Sequence, residues 1–229
     1  MEPTYSDAWF ETFGRPDEAQ TEREVAFLAG VLPPPPASML DVPCGFGRHA
    51  RALAELGYRV AGVEKNVAVA AEARLAGVEV HVLDMHELRE LPGSFDAAFC
   101  MWASFGWFDD ATNADVLAQM AEKTRPGGIV VLDVYDAVWF RAHQGMHAID
   151  RGGRRAHEHK RVVGNRLHTT LDYGDGSRDV FEWRLYEPDE LRALAAEHGL
   201  DCEKVCAGCD PASPPDGETA RMQLVFRSR

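Results

Sequence analysis

Between residues 38 and 135 the chain repeats one unit: a short apolar run, a turn, and a stretch with apolar residues at helical spacing. The apolar runs are "SMLDVPC" (38–44), "YRVAGVE" (58–64), "VEVHVLD" (78–84), "FDAAFCMW" (95–102) and "IVVLDVY" (129–135). Between them lie the helical stretches "RHARALAELG", "NVAVAAEARLAG" and "NADVLAQMAEKTRPGG", each closed by glycine. Strands of nearly continuous apolar character separated by helices require a parallel sheet covered on both faces. Right-handed crossovers then predict an α/β fold with an open, doubly wound, Rossmann-like sheet.

Both flanks depart from that rhythm. Ahead of it, "YSDAWFETFG" and "DEAQTEREVAFLAGVL" read as two helices, stopped by Pro33–Pro36. After Tyr135, "AVWFRAHQ" reads as helix, and "RRAHEHKRVVG", "NRLHTTLDYGDGS" and "RDVFEWRLY" read as strands joined by turns at Gly164-Asn165 and Gly174–Gly176. A helix "EPDELRALAAEHG" and two closing strands, "DCEKVCAGC" and "ARMQLVFRS", finish the chain. The expected organisation is one domain over 1–229, with an N-terminal helical cap over 1–32 and an antiparallel insertion on the substrate side over 145–187.

Composition narrows the function. A formal net charge of −13 disfavours a nucleic-acid partner, since phosphate neutralisation needs gathered Lys and Arg. The N-terminus lacks the basic start and apolar run of a secretion signal, and no run approaches ~18 apolar residues, so a cytoplasmic protein without membrane contact is expected. A homodimer is compatible with these features. Five cysteines in such a chain read as free thiols. Cys202, Cys206 and Cys209 have the C-x3-C-x2-C spacing of an iron–sulfur motif, but on a late strand with Gly208 where that motif has an aromatic residue.

In an open parallel sheet, ligands bind beyond the carboxyl ends of the strands. The first strand ends in Pro43-Cys44-Gly45-Phe46-Gly47, the second in Glu64, the third in Asp84 and the fourth in Met101-Trp102. Gly45, Gly47 and Ala50 alone satisfy the dinucleotide pattern G-x-G-x-x-A, with Glu64 spaced to hold a ribose, which leaves an NAD(P)-binding oxidoreductase open. The same glycines suit any adenosine-bearing cofactor, and Asp84 has little purpose in a simple dinucleotide site.

Asp41-x-Pro43-Cys44-Gly45-x-Gly47, Glu64 in "VAGVEKN", Asp84 in "VHVLDMHEL", "FDAAFCMWASFGWF" and "TRPGGIVVLDVYD" together resemble the class I S-adenosylmethionine-dependent methyltransferases over roughly residues 38–136. The resemblance implies a seven-stranded sheet whose last strand is inserted antiparallel, and S-adenosyl-L-methionine as cofactor. It implies Gly45 and Gly47 along the methionine moiety, Glu64 on the ribose hydroxyls, Asp84 on the adenine amino group, Met85 against the ring and Met101 beside the methionine. Tyr5 and Trp9 would close over the cofactor. Asp41 is either a further cofactor contact or a buried acid bonding loop amides. Pro43 departs from the glycine that many members carry. A member that binds the cofactor without catalysis also stays open.

The run "MWASFGWF" replaces the Asn/Asp-Pro-Pro-aromatic motif of base-modifying members, which points to a small-molecule acceptor, methylated on oxygen or nitrogen. Trp102, Phe105, Trp107 and Phe108 either wall its pocket or pack beneath the next helix. Arg151, Arg154, Arg155, Lys160 and Arg161 form a basic cluster in the insertion that reads either as a solvated strand edge or as a contact for an acidic metabolite, with Arg184 a further contact or a helix anchor. Candidate bases are His157, His159 and Tyr135, with Tyr5 or Trp9 on the N-terminal segment; the two histidines otherwise belong to an ordinary polar strand face. His157-x-His159 has no evident third ligand, so no metal is expected.

Overall fold

The computed structural model describes residues 5–13, 17–151 and 154–229. Residues 1–4 and 14–16 of the expected cap and 152–153 of the expected insertion lie outside the described residues. Two helices, α1 (Asp7–Phe13) and α2 (Glu18–Val31), precede the first strand. Then come β1 (Ser38–Asp41), α3 (Arg48–Glu55), β2 (Arg59–Val63), α4 (Val67–Leu75), β3 (Glu79–His81), β4 (Phe95–Cys100), α5 (Asp110–Lys123) and β5 (Thr124–Tyr135). Helix α6 (Ala137–Ala142) leads to four strands, β6 (Gly145–Arg151), β7 (Arg154–Val163), β8 (Arg166–Asp172) and β9 (Arg178–Arg184). Helix α7 (Pro188–Glu197), β10 (Leu200–Ala207) and β11 (Arg221–Ser228) close the chain.

The main sheet has seven strands in the order β10-β11-β5-β4-β1-β2-β3. Strands β1 to β5 are parallel, and β11 runs antiparallel between β5 and β10. The strand order reverses between β1 and β4, and a crevice opens at that switch point beyond the carboxyl ends of the strands. One core layer packs Leu40, Ala98, Leu132 and Leu224 against α5 and α7; the other packs Met39, Phe99, Val131 and Val225 against α2 and α3.

The second sheet, β6-β7-β8-β9, is an antiparallel meander. Its first strand, in "GMHAIDR", is one that turn signals alone do not mark. The inner face of the meander carries Ala156, Leu167, Leu171, Phe181 and Trp183, which pack with Ala137 and Phe140 of α6. Helix α1 bridges the two sheets. Ser6 Oγ donates to Asp179 Oδ2 (2.6 Å), Arg154 pairs with Glu11, and the Trp9 ring lies 5.9 Å from that of Trp102.

A buried ion network staples α2 beneath the crevice. Glu24 meets Arg48 Nη2 (2.5 Å), His49 Nε2 (2.9 Å) and Arg221 Nη2 (2.6 Å). Arg221 also pairs with Asp133 of β5. Burial pushes the Glu24 carboxyl up, but His49, Arg221 and Arg48 together outweigh it and hold the group far below the usual carboxylate range. Burial lowers His49 to about 4 although Glu24 pulls the other way, so the folded protein carries a neutral imidazole at neutral pH.

An unfolded histidine titrates near ~6.5, so from there down to about pH 4 the unfolded chain binds the extra proton. The stability this group confers is complete above about pH 6.5 and is lost as pH falls toward its folded value. In urea denaturation, wild-type stability should fall between those limits by about 3 kcal/mol more than that of His49→Gln, which keeps a donor to Glu24 but does not titrate. Parallel curves would contradict the arrangement.

Candidate active site

The turn after β1 is built for close approach of a ligand. Gly45 and Gly47 adopt φ of +53° and +74°, a region costly to other residues, and Gly47 stands at the N-cap of α3. A Cβ on Gly45 would meet nothing within 4 Å, because that backbone faces a cavity; a Cβ on Gly47 would lie 2.7 Å from Val78 Cγ2. Beside the turn, Glu64 follows β2 with one oxygen accepting from the Asn66 amide (2.8 Å). Burial raises the Glu64 pKa, opposed by the Asn66 and Gly45 amides and by Lys65. Asp84 follows β3, 3.1 Å from both Lys65 Nζ and His86 Nδ1.

These groups open into a cavity of about 1020 Å³ that runs between the two sheets. Gly45, Glu64, Asp84, Met85 and Met101 line one end. Tyr5, Trp9, Trp102, Trp107 and Tyr135 line its middle, and Tyr5 stacks on Trp9 at 3.8 Å and tilts against Trp107 at 5.0 Å. The inner face of the meander and α6 form its other wall, with Trp139, Phe140, Glu158, Lys160, Thr169 and Trp183. Burial holds the Tyr5 and Tyr135 hydroxyls well above the ordinary phenol value, so both are protonated at neutral pH.

The loop after β4 is shaped by backbone strain. Trp102 and Ala103 have φ of +64° and +58°, where non-glycine residues are rare. Asp133 holds them there, its Oδ2 accepting from the Trp102 amide (2.8 Å) and its carbonyl from the Ala103 amide (3.0 Å). Gln223 Nε2 donates to the other Asp133 oxygen at 2.8 Å. Trp102 thereby turns into the cavity, with the Arg48 guanidinium 5.7 Å from its ring centroid.

Several expected site residues lie elsewhere. On β7, exposure alternates so that Ala156, Glu158, Lys160 and Val162 face inward while Arg155, His157, His159 and Arg161 face out. His157 and His159 line a separate outer depression with Thr170 and Asp172 and so do not reach the cavity as bases. The basic cluster divides: Arg151 and Lys160 line the cavity, whereas Arg155 and Arg161 share that outer face and Arg154, although inward, is paired with Glu11. Phe105 is buried in the core against Tyr186, beneath the cavity wall. Arg184 anchors α7: its side chain is 5% exposed, pairs with Glu190 and Asp110, and stacks over Tyr186.

Asp41 is fully buried, no side chain donates to its oxygens, and burial pushes its pKa well up, so its place is beneath the turn. The three cysteines of the C-x3-C-x2-C run are free, and among the described residues no three His, Cys, Asp or Glu side chains gather as a metal site. Glu158, Trp139, Phe140, Trp183 and Arg221 also line the cavity, although no local pattern in the sequence points to them. Apolar Ala156 and Val162 were the available clue to the inward parity of β7.

The donor set suits an adenosine group without phosphates. Carboxylates at the ends of successive strands accept from ribose hydroxyls and an exocyclic amine, while the open Gly45 backbone lets a ligand lie against the turn. Because Gly47 alone has a packing partner where its Cβ would be, Gly47→Ala should cost about 1 kcal/mol more stability than Gly45→Ala, read by urea denaturation. Equal losses would contradict this reading of the turn.

A methyltransferase-domain family model matches residues 39–128. The dTDP-3-amino-3,4,6-trideoxy-alpha-D-glucopyranose N,N-dimethyltransferase of Streptomyces venezuelae is 31% identical over 210 residues, which cover 84% of this chain and 87% of that one. The dTDP-4-amino-2,3,4,6-tetradeoxy-D-glucose N,N-dimethyltransferase of Saccharopolyspora spinosa is 30% identical over 193 residues, covering 81% and 73%. Among solved structures, the CcbJ methyltransferase of Streptomyces caelestis shares the fold, with a TM-score of 0.80 at 20% identity over 93% of this chain and 97% of that one. With the glycine turn and the carboxylates Glu64 and Asp84 at the ends of successive strands, these relationships establish that the chain belongs to the S-adenosylmethionine-dependent methyltransferases.

Proposed function

We propose that this methyltransferase acts on an amine nitrogen of a small, sugar-like molecule. The observation that carries the reading is the single cavity joining the Glu64–Asp84 end to the aromatic inner face of the second sheet. Sites for one drug-sized ligand span ~300–1,000 Å³, so about 1020 Å³ leaves room for a nucleoside cofactor and a second small molecule together. Two relatives named as amino-sugar N,N-dimethyltransferases support nitrogen as the acceptor.

When bound, the cofactor supplies a methyl group on a sulfonium, which is already a good leaving group. The protein's part is alignment and exclusion of water. Glu64 accepts from the ribose hydroxyls, Asp84 from the adenine amine, and Met85 packs against the ring. Arg48, at the first turn of α3, lines the cavity while paired with Glu24. Tyr5, Trp9, Trp102 and Trp107 form the dry middle of the cavity. Tyr135, held protonated, orients an acceptor through its hydroxyl and does not act as a phenolate base. Arg151 is a cationic side chain of the meander that lines the cavity and offers charge to an anionic part of the acceptor.

Glu64→Ala should weaken adenosylhomocysteine binding by about 100-fold in calorimetry, as expected for losing hydrogen bonds to a charged acceptor. Because the Glu64 pKa is raised and its ionised form is the acceptor, wild-type affinity should decline on acidification at a higher pH than an ordinary glutamate would dictate. A change under about fivefold in Glu64→Ala would remove Glu64 from the cofactor site. With labelled methyl donor, an amino-sugar nucleotide should take label that its hydroxyl counterpart does not. Label on the hydroxyl compound alone would overturn the nitrogen assignment.

A further inference from the structure

Two inward positions of β7, Glu158 and Lys160, carry opposite charges inside an aromatic enclosure on the meander side of the cavity, next to Tyr135. Lys160 Nζ lies 2.7 Å from Glu158 Oε2, with the two side chains only 14% and 17% exposed. The same Nζ is 5.5 Å from the ring centroid of Trp139 and 5.5 Å from that of Phe140. Tyr135 packs on Phe140 at 4.6 Å and on Trp183 at 5.4 Å, closing the enclosure.

Packing of the meander does not call for this pair. Among the other inward residues of β7 and β8, Ala156, Leu167 and Leu171 are apolar and complete the core there. Burying two charges carries a desolvation cost that their mutual attraction offsets only in part. A carboxylate beside two ring faces is instead the donor set that recognises an organic ammonium, worth roughly 0.5–2 kcal/mol per cation–π contact. All of these groups line the cavity.

We propose that Glu158, Trp139 and Phe140 form an ammonium-binding subsite for the acceptor, and that Lys160 is its competing occupant while the acceptor is absent. The proposal rests on the amine reading above and names where that amine sits. A neutral amine nitrogen becomes positively charged as it takes a methyl group and then loses a proton, so a carboxylate and ring faces stabilise the charge that develops. The flexible four-carbon stem of Lys160 allows its ammonium to withdraw when another cation arrives.

The test is titration of the protein, saturated with adenosylhomocysteine, with choline and with its uncharged isostere 3,3-dimethylbutan-1-ol, followed by ligand-observed NMR. Lys160→Met keeps the stem and removes the competitor, and should tighten choline binding at least about threefold. Glu158→Gln should weaken it at least about threefold, and neither variant should move the isostere by that factor. Smaller or opposite changes in choline affinity, or equal changes for the isostere, overturn the subsite. If Glu158→Gln does not fold, Lys160→Met decides alone. Failure of the wild type to bind adenosylhomocysteine would instead contradict the methyl-donor site, so the two failures are distinguishable.

Discussion

The buried carboxylate of Asp133 is the constraint on which the site depends. It sits in the middle of the main sheet, pairs with Arg221 from the antiparallel strand beside it, and accepts from Gln223 and from the Trp102 amide. Burial raises its pKa and Arg221 opposes that shift. Left-handed backbone at a non-glycine residue costs roughly 1–2 kcal/mol, and two such residues in succession persist only where their amides have fixed partners. Asp133 supplies those partners, and Arg221 passes the constraint on to Glu24 and thus to α2. The floor of the cavity, α2 and the closing strand β11 are therefore one electrostatic unit.

The second constraint is the handedness of one strand face. Strand β7 decides what the acceptor meets, because a shift of one residue exchanges every inward side chain for its outward neighbour. With the observed register Glu158 and Lys160 line the cavity among aromatic rings; with the other, two imidazoles and two guanidinium groups would take their place. The sheet chooses the first because Ala156 and Val162 have apolar partners on the inside while charged residues accept solvent on the outside.

These two constraints also mark where sequence reasoning succeeds and stops. The parallel sheet, the glycine turn, Glu64 and Asp84 are legible because each follows from a short-range pattern: an apolar run, a turn residue, a strand end. The inserted last strand followed from the family resemblance and is present. The polar residues of "RRAHEHKRVV" alternate with one another and barely with apolar ones, so the inward face of β7 depends on tertiary contacts far along the chain. Strand β6 was hidden for the same reason, and the choice between substrate contact and helix anchor for Arg184 stayed open because its partners, Glu190 and Asp110, are set by packing. The helix-capping Pro188-Asp189-Glu190 segment, by contrast, is local chemistry and sits where its residues indicate.

The central claim is that one cavity holds the methyl donor at the main sheet and the acceptor at the meander. A crystal structure with adenosylhomocysteine tests it most directly. The account predicts ribose hydroxyls on Glu64, the adenine edge on Asp84, and the sulfur directed along the cavity toward Tyr135 and the inner face of β7. An adenosine group away from Glu64 and Asp84, or a sulfur directed away from the meander, would contradict it.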